Sequence, residues 1–349
     1  MRPKGLIRLL LTGCLLLLLS GCTFGATVDA LLTPPHLRGE QEQIYQALEN
    51  AVGNRITLQY PRSGDHLSAV MISDLDGDGQ DEAAVFYRKE SSLSTENALR
   101  LNLLDQADGT WMSVCDLPAE GAEVDRGFTA DIGGRQRLII GYSQVDQSDK
   151  ALVVYNYEGG TLAKSFTVSY SSFDVADLDG DDQSELLILK AAEGEHAAEA
   201  AVYVPDEQDH YARYSLTLQG KTTEYSQVLC GNTQGKQTAI YLDGIVGATT
   251  MQTEVLQFDG KKLSYLVPTG SDAVSTIRPT GWLTMDIDQD NIPEIPVQGL
   301  FPGYQDTDSD LIRMTRWMTV TKDGTLQEEE RGYYLSLIHI SEPTRLLSI

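Results

Sequence analysis

Asp74-Leu75-Asp76-Gly77-Asp78-Gly79-Gln80-Asp81-Glu82, running into Ala83-Ala84-Val85-Phe86-Tyr87, is the stretch from which the rest of the chain can be read. Carboxylates stand at loop positions 1, 3, 5 and 9, with Gly79 at position 6. Alternate Asp side chains converge on one point when the backbone wraps around it. So many acids in so short a loop repel unless a cation sits among them. Calcium suits them, being a hard ion that takes six to eight oxygens. Gly79 supplies the positive φ of a sharp turn. The Gln80 carbonyl can then face the ion and Glu82 can close the site. An EF-hand would carry its closing Glu at position 12 and continue into a helix. Here the acid comes at position 9 and an apolar strand follows.

The pattern returns twice. Asp177-Leu178-Asp179-Gly180-Asp181-Asp182-Gln183-Ser184-Glu185 precedes Leu186-Leu187-Ile188-Leu189. Asp286-Ile287-Asp288-Gln289-Asp290-Asn291-Ile292-Pro293-Glu294 precedes Ile295-Pro296-Val297. Position 6 is now Asp182 or Asn291, residue types that tolerate the left-handed region. A lone acidic loop is equally well a surface turn. Three in one register, each opening a strand, point to calcium. The expected ligands are Asp74, Asp76, Asp78, Gln80 and Glu82; Asp177, Asp179, Asp181, Gln183 and Glu185; Asp286, Asp288, Asp290, Ile292 and Glu294. Gln80, Gln183 and Ile292 contribute main-chain oxygen, and up to three structural Ca2+ ions are implied.

The loops begin at 74, 177 and 286, twice a unit of about 50 residues, the period of propeller-type arrays. Copies without ligands lie between them, at Thr129-Ala130-Asp131-Ile132-Gly133-Gly134 and at Gly231-Asn232-Thr233-Gln234-Gly235. Gly hairpins recur at Asp108-Gly109, Glu158-Gly159-Gly160, Asp259-Gly260 and Asp323-Gly324. The units run over about 66–119, 122–168, 170–220, 222–270 and 273–335. Four strands per unit make the blade of a β-propeller. The expectation is an all-β fold: about five four-stranded blades after a short N-terminal helix, Glu40–Ala51, and a strand, Ile56–Tyr60. The metal loops resemble the FG-GAP and VCBS repeats of integrin-α-like propellers and of bacterial secreted proteins. The resemblance covers most of residues 66–335, strong at the metal loops and weak elsewhere, and the Phe-Gly and Gly-Ala-Pro signatures are absent.

Residues 1–22 read as a targeting segment. Arg2, Lys4 and Arg8 precede an apolar run, Leu9–Leu19, that is short for a membrane span. Leu19-Ser20-Gly21-Cys22 resembles the lipobox of bacterial lipoproteins. That resemblance implies lipidation of Cys22 and a protein anchored outside the cytoplasm, at the cell surface, through acyl chains. Residues 23–38 are a tether, and 39–335 the helix and propeller. Cys115 and Cys230 could form one disulfide or be two buried hydrophobes.

The sequence has 349 residues and a formal net charge of −25. Fourteen of its 51 acids lie in the three loops, so much of the excess is metal-site charge. No Lys/Arg cluster suits a nucleic acid partner. Ser336-Leu337-Ile338-His339-Ile340-Ser341-Glu342-Pro343-Thr344-Arg345 reads as translated sequencing-adapter DNA. Residues 336–349 are therefore expected to be foreign, and the natural chain to continue with further blades.

No His pair has metal-ligand spacing, and no nucleophile elbow or phosphate loop occurs. The expectation is thus a binding or scaffold module rather than an enzyme, with an unidentified extracellular protein or glycan as partner. The rival is a polysaccharide-processing enzyme on a propeller scaffold. A carboxylate outside the metal loops, in a cleft and with a raised pKa, would favour the rival. In up-and-down blades the metal loops and Gly hairpins share one face. The other face carries the longer loops, including Asp243–Gln252 and Gly299–Asp310. Ile245, Val246, Phe301 and Tyr304 in these two are the candidate ligand contacts.

Overall fold

The computed structural model describes residues 39–89, 99–144, 150–268, 275–300, 303, 313–337 and 340–345. The chain divides into two compact units, Met1–Tyr45 and Gln46–Ile349. Helix α1 (Glu40–Val52) begins in the first. Glu40 and Glu42 favour its first turn by facing the positive end of the helix dipole. Ile44 and Leu48, one turn apart, are fully buried. Gly53 ends the helix at φ 97°, its amide donating to Glu49 O at 2.8 Å.

The second unit consists of blade-like antiparallel sheets. The first holds β1 (Ile56–Leu58), β2 (Val70–Ser73), β3 (Glu82–Lys89), β4 (Leu99–Ala107) and β5 (Thr110–Pro118). The second holds β6 (Glu123–Asp131), β7 (Gln136–Ser143), β8 (Lys150–Glu158) and β9 (Thr161–Tyr170). The third holds β10 (Ser172–Ala176), β11 (Glu185–Lys190), β12 (Glu199–Pro205) and β13 (Tyr211–Thr217). The fourth holds β14 (Glu224–Asn232), β15 (Thr238–Gly247), β16 (Thr250–Phe258), β17 (Leu263–Tyr265) and β18 (Arg278–Pro279). The fifth holds β19 (Ile295–Leu300), β20 (Arg313–Val320), β21 (Leu326–Leu337) and β22 (Ile340–Arg345). Apart from β1, which pairs with β3, and β18, which pairs with β16, sequential strands of a sheet pair as neighbours, as in propeller blades.

The core lies between consecutive sheets. In β7, Leu138 and Ile140 pack with Phe86, Leu101 and Leu103 of the first sheet. Ile139 points the other way, to Leu186 and Ile188 of the third. Alternation along a strand buries both faces, so the second strand of a sheet reads as an unbroken apolar run. Leu187 and Leu189 likewise meet Ile240 and Leu242, and Tyr241 meets Ile295 and Val297. Each such burial contributes about 1.5–3 kcal/mol.

Two sequence expectations are corrected. Asp243–Gln252 is not a long loop: β15 runs to Gly247 and β16 starts at Thr250. Asp243 can lie in this buried strand because Arg278 Nη2 donates to its Oδ1 at 2.8 Å, and the Thr253 and Thr284 hydroxyls at 2.6 and 2.8 Å. A carboxylate so paired does not break a strand. In the fifth sheet the strand before the metal loop shrinks to a bridge, Met285↔Glu294. Residues 340–345, within the stretch read as foreign, pair with β21 as a hairpin, a pairing that does not bear on their origin. Main-chain pairing at a sheet edge needs no particular side chains, which is why composition gave no sign of it.

Candidate functional site

The three acidic loops share one hydrogen-bond scheme. At position 1, Asp74 accepts from the Gly77 and Gly79 amides at 2.7 and 3.0 Å. Asp177 accepts from Gly180 and Asp182 at 2.7 and 3.1 Å, and Asp286 from Gln289 and Asn291 at 2.6 and 2.8 Å. At position 5, Asp78, Asp181 and Asp290 each accept at 2.8 Å from the amide of Gln80, Gln183 or Ile292. At position 9, Oε2 of Glu82, Glu185 and Glu294 accepts from the amide of Leu75, Leu178 and Ile287 at 2.7, 2.8 and 2.8 Å. Position 6 is left-handed in all three, at φ 87°, 67° and 68°. Position 4 is left-handed as well, at Gly77, Gly180 and Gln289, a second constraint that the sequence reading missed. Gly at two of these positions was the available signal.

Ligand atoms of Asp74, Asp76 and Asp78, of Asp177, Asp179 and Glu185, and of Asp286, Asp288 and Asp290 each fall within 4.8 Å of one another. These groups can hold a metal ion. Glu82 and Glu294 lie outside the tightest clusters but are buried, each with an Oε1 that has no hydrogen-bond partner. Asp179 Oδ1 is buried and unpartnered too. A buried carboxylate oxygen without a donor is costly, and a cation is the partner that these loops can admit. Burial pushes Glu82 and Glu185 up to about 7 and Glu294 up to about 8, with the neighbouring aspartates adding to the shift.

The other two sheets solve the same turn without a cluster of acids. Arg137 pairs with Ala130, and Glu82 with Ser73, each opposite the residue before the loop. Arg137 Nε donates to the carbonyl of Ile132, at loop position 2, at 2.9 Å. Its other nitrogens reach Asn156 Oδ1 and Asp209 Oδ1, both at 2.6 Å. In the fourth sheet Ala239 takes that slot, and the Thr233 hydroxyl accepts from the Gly235 and Gln237 amides at 3.2 and 3.3 Å.

A second group of residues gathers at the opposite ends of the first strands. A cavity of about 370 Å3 there is lined from β6, β10 and β14. Asp125 accepts from Lys150 Nζ at 3.0 Å on both oxygens and from the Tyr170 hydroxyl at 2.7 Å. Asp174 pairs with Arg126 Nη2 at 3.3 Å. Burial lifts the Asp174 carboxyl above its ordinary range, although Arg126 pulls the other way. The Arg126 guanidinium lies against the Phe128 and Phe173 rings, 5.1 and 5.2 Å from their centroids. These residues carried no sequence signal, because paired carboxylates on different strands have no local motif.

Ile245 and Val246 are half-buried residues of β15, with a β-bulge between Ile245 and Gly247. Phe301 and Tyr304 lie outside the described residues, as does Cys22. Cys115 and Cys230 are free thiols, and burial pushes Cys230 up to about 12.

No protein-family model matches the chain, and no curated protein matches it. Among solved structures it is similar to an exotype rhamnogalacturonan lyase at 15% identity, covering 79% of this chain and 56% of that one, with a TM-score of 0.33. It is similar to a GH43 β-1,3-galactosidase at 12% identity, covering 78% and 96%, with a TM-score of 0.32. An exo-β-1,3-galactanase from Phanerochaete chrysosporium matches at 10% identity over 78% and 66%, with a TM-score of 0.32. None of these figures assigns an activity to this chain. The expectation that it is not an enzyme is nonetheless corrected. Asp174 is a carboxylate outside the acidic loops that lines a cavity and is held above its ordinary range by burial, the feature that favours the polysaccharide-processing reading.

Proposed function

We propose that the chain is a calcium-stabilised β-propeller that processes polysaccharide outside the cytoplasm. The observation that carries this reading is the placement of Asp174 and Asp125 on neighbouring first strands, at one cavity, apart from every cation loop. Glycosidic bond cleavage commonly uses two carboxyl groups, one donating a proton to the leaving oxygen. Asp174, which burial keeps protonated to higher pH, suits the donor. Asp125, ion-paired with Lys150, suits the second role. Calcium is the ion that the all-oxygen loops favour, and its part is structural. The lipobox-like Leu19-Ser20-Gly21-Cys22 supports anchorage through lipidated Cys22.

The test is to incubate the calcium-loaded protein with plant and microbial polysaccharides and to measure both new reducing ends and unsaturated products. Cleavage is expected, with at least a hundredfold loss in Asp174→Asn at unchanged melting temperature. Binding of a polysaccharide without any bond cleavage would return the reading to a binding module.

A further inference from the structure

A second cavity, of about 480 Å3, adjoins the first, and Tyr170 and Ser171 line both. It lies over the turn between β11 and β12. Glu193 and His196 there exchange main-chain hydrogen bonds at 3.0 and 2.9 Å, with Gly194 between them at φ 58°. The Ser171 hydroxyl accepts from the Ala191 amide at 2.9 Å, which fixes the ridge between the two cavities to this turn. A second link runs from the Tyr225 hydroxyl, in the first cavity, to the carbonyl of Lys190, in the second, at 3.4 Å. The two cavities therefore form one groove that crosses from the second sheet to the third.

The groove's chemistry is polar and close to charge-balanced. Asp125 and Asp174 are offset by Lys150 and Arg126, and Glu199 by Arg213 at 2.6 Å. Such a lining offers donors and acceptors in comparable number without a net field for an anion. Each cavity is within the size range of small-molecule sites.

We propose that an uncharged, hydroxyl-rich sugar chain lies along this groove, with the second cavity as an added subsite beyond the point of cleavage. This inference rests on the polysaccharide reading above. Glu193 and His196 would hold the outer sugar and take no part in bond breaking.

The experiment uses the full chain with calcium. The probes are galactan, arabinan and β-glucan, with polygalacturonate as the acidic control, each also as a ladder of defined chain lengths. For the neutral polymer that is cleaved, the Glu193→Ala/His196→Ala double variant should raise KM five- to tenfold for long chains. It should leave kcat, and KM for the shortest cleaved chain, unchanged. Equal KM for long chains in the double variant and the wild type would overturn the subsite, with the polysaccharide reading intact. An equal loss on short and long chains would also overturn it. Cleavage of polygalacturonate alone would overturn the uncharged substrate class. Cleavage of nothing by the wild type would remove the polysaccharide reading, and this inference with it.

Discussion

Arg137 occupies in the second sheet the register slot that Glu82 occupies in the first. Each stands across from the residue before the loop, at Ala130 and Ser73, and each grips loop position 2. Glu82 accepts from the amide there, and Arg137 donates to the carbonyl. The acidic turn and the arginine-held turn are thus charge-reversed solutions at one position. In the first, buried carboxylates call for an ion. In the second, a side chain supplies the positive charge.

Arg137→Ala should destabilise the fold by about 3–5 kcal/mol, the range for breaking one partner of a buried pair. The Arg137 side chain is 1% exposed, and its loss strips donors from Asp209, Asn156 and Ile132 O. Denaturant unfolding would measure the change. Calcium content should not fall. A loss below 1 kcal/mol would mean that water replaces the guanidinium.

Removing calcium should expose an unusual pH dependence. The closing glutamates, raised to about 7, 7 and 8 without an ion, hold protons in the folded chain that the unfolded chain releases near pH 4.5. Their contribution is therefore full below about pH 4.5 and is lost as pH rises through 7 to 8. Each glutamate contributes a slope of at most about 1.4 kcal/mol per pH unit in that window. A bound cation favours the ionised form, so calcium should flatten the dependence. It should add about 2.7 kcal/mol per site at a hundredfold excess over Kd. Melting curves from pH 5 to 8, with calcium and with chelator, decide it. A chelated protein that gains stability over this range has the opposite sign, and the site assignment would then fail.

Asp76→Ala, Asp179→Ala and Asp288→Ala should each remove about one calcium equivalent, because each deletes a carboxylate of a converging group. Asp131→Ala, in the loop served by Arg137, should remove none. Counting bound metal in the four purified variants is sufficient, and equal losses in all four would refute the distinction between the two kinds of loop.

Much of this architecture was legible in the sequence because it is local. The loop acids, the left-handed position 6 and the apolar runs after each loop sit within a dozen residues, and the structure keeps all of them. The sheets follow the same repeat, except that Arg278–Pro279 joins the fourth and 340–345 the fifth. What escaped notice depends on partners distant in sequence. Asp243 looked like a loop residue until Arg278, 35 positions away, supplied its charge partner. Arg137 gave no hint that it would meet Asp209, 72 positions on. Asp125 and Asp174 share a cavity only because two first strands converge.

Gly141→Ala tests whether the cleft depends on its walls. Gly141 lies in β7, and a Cβ added there would clash with the Tyr170 hydroxyl and crowd the Phe173 ring. Its backbone is not left-handed, so the requirement for glycine is space alone. Tyr170 is 5% exposed and packs edge-on against Phe173 at 4.8 Å between centroids, which leaves it little room to retreat. Overpacking of this kind typically destabilises by about 1–3 kcal/mol. Relief by tilting Tyr170 would break its 2.7 Å hydrogen bond to Asp125 and move the ridge between the two cavities. The variant should stay folded and keep the calcium content of the wild type, and the cleavage activity proposed above should largely be lost. Tyr170→Phe, which keeps the ring and removes only the hydroxyl, should lose less. Full activity in Gly141→Ala, with the added methyl group seen in a crystal structure to displace Tyr170, would show that the ridge does not shape the site.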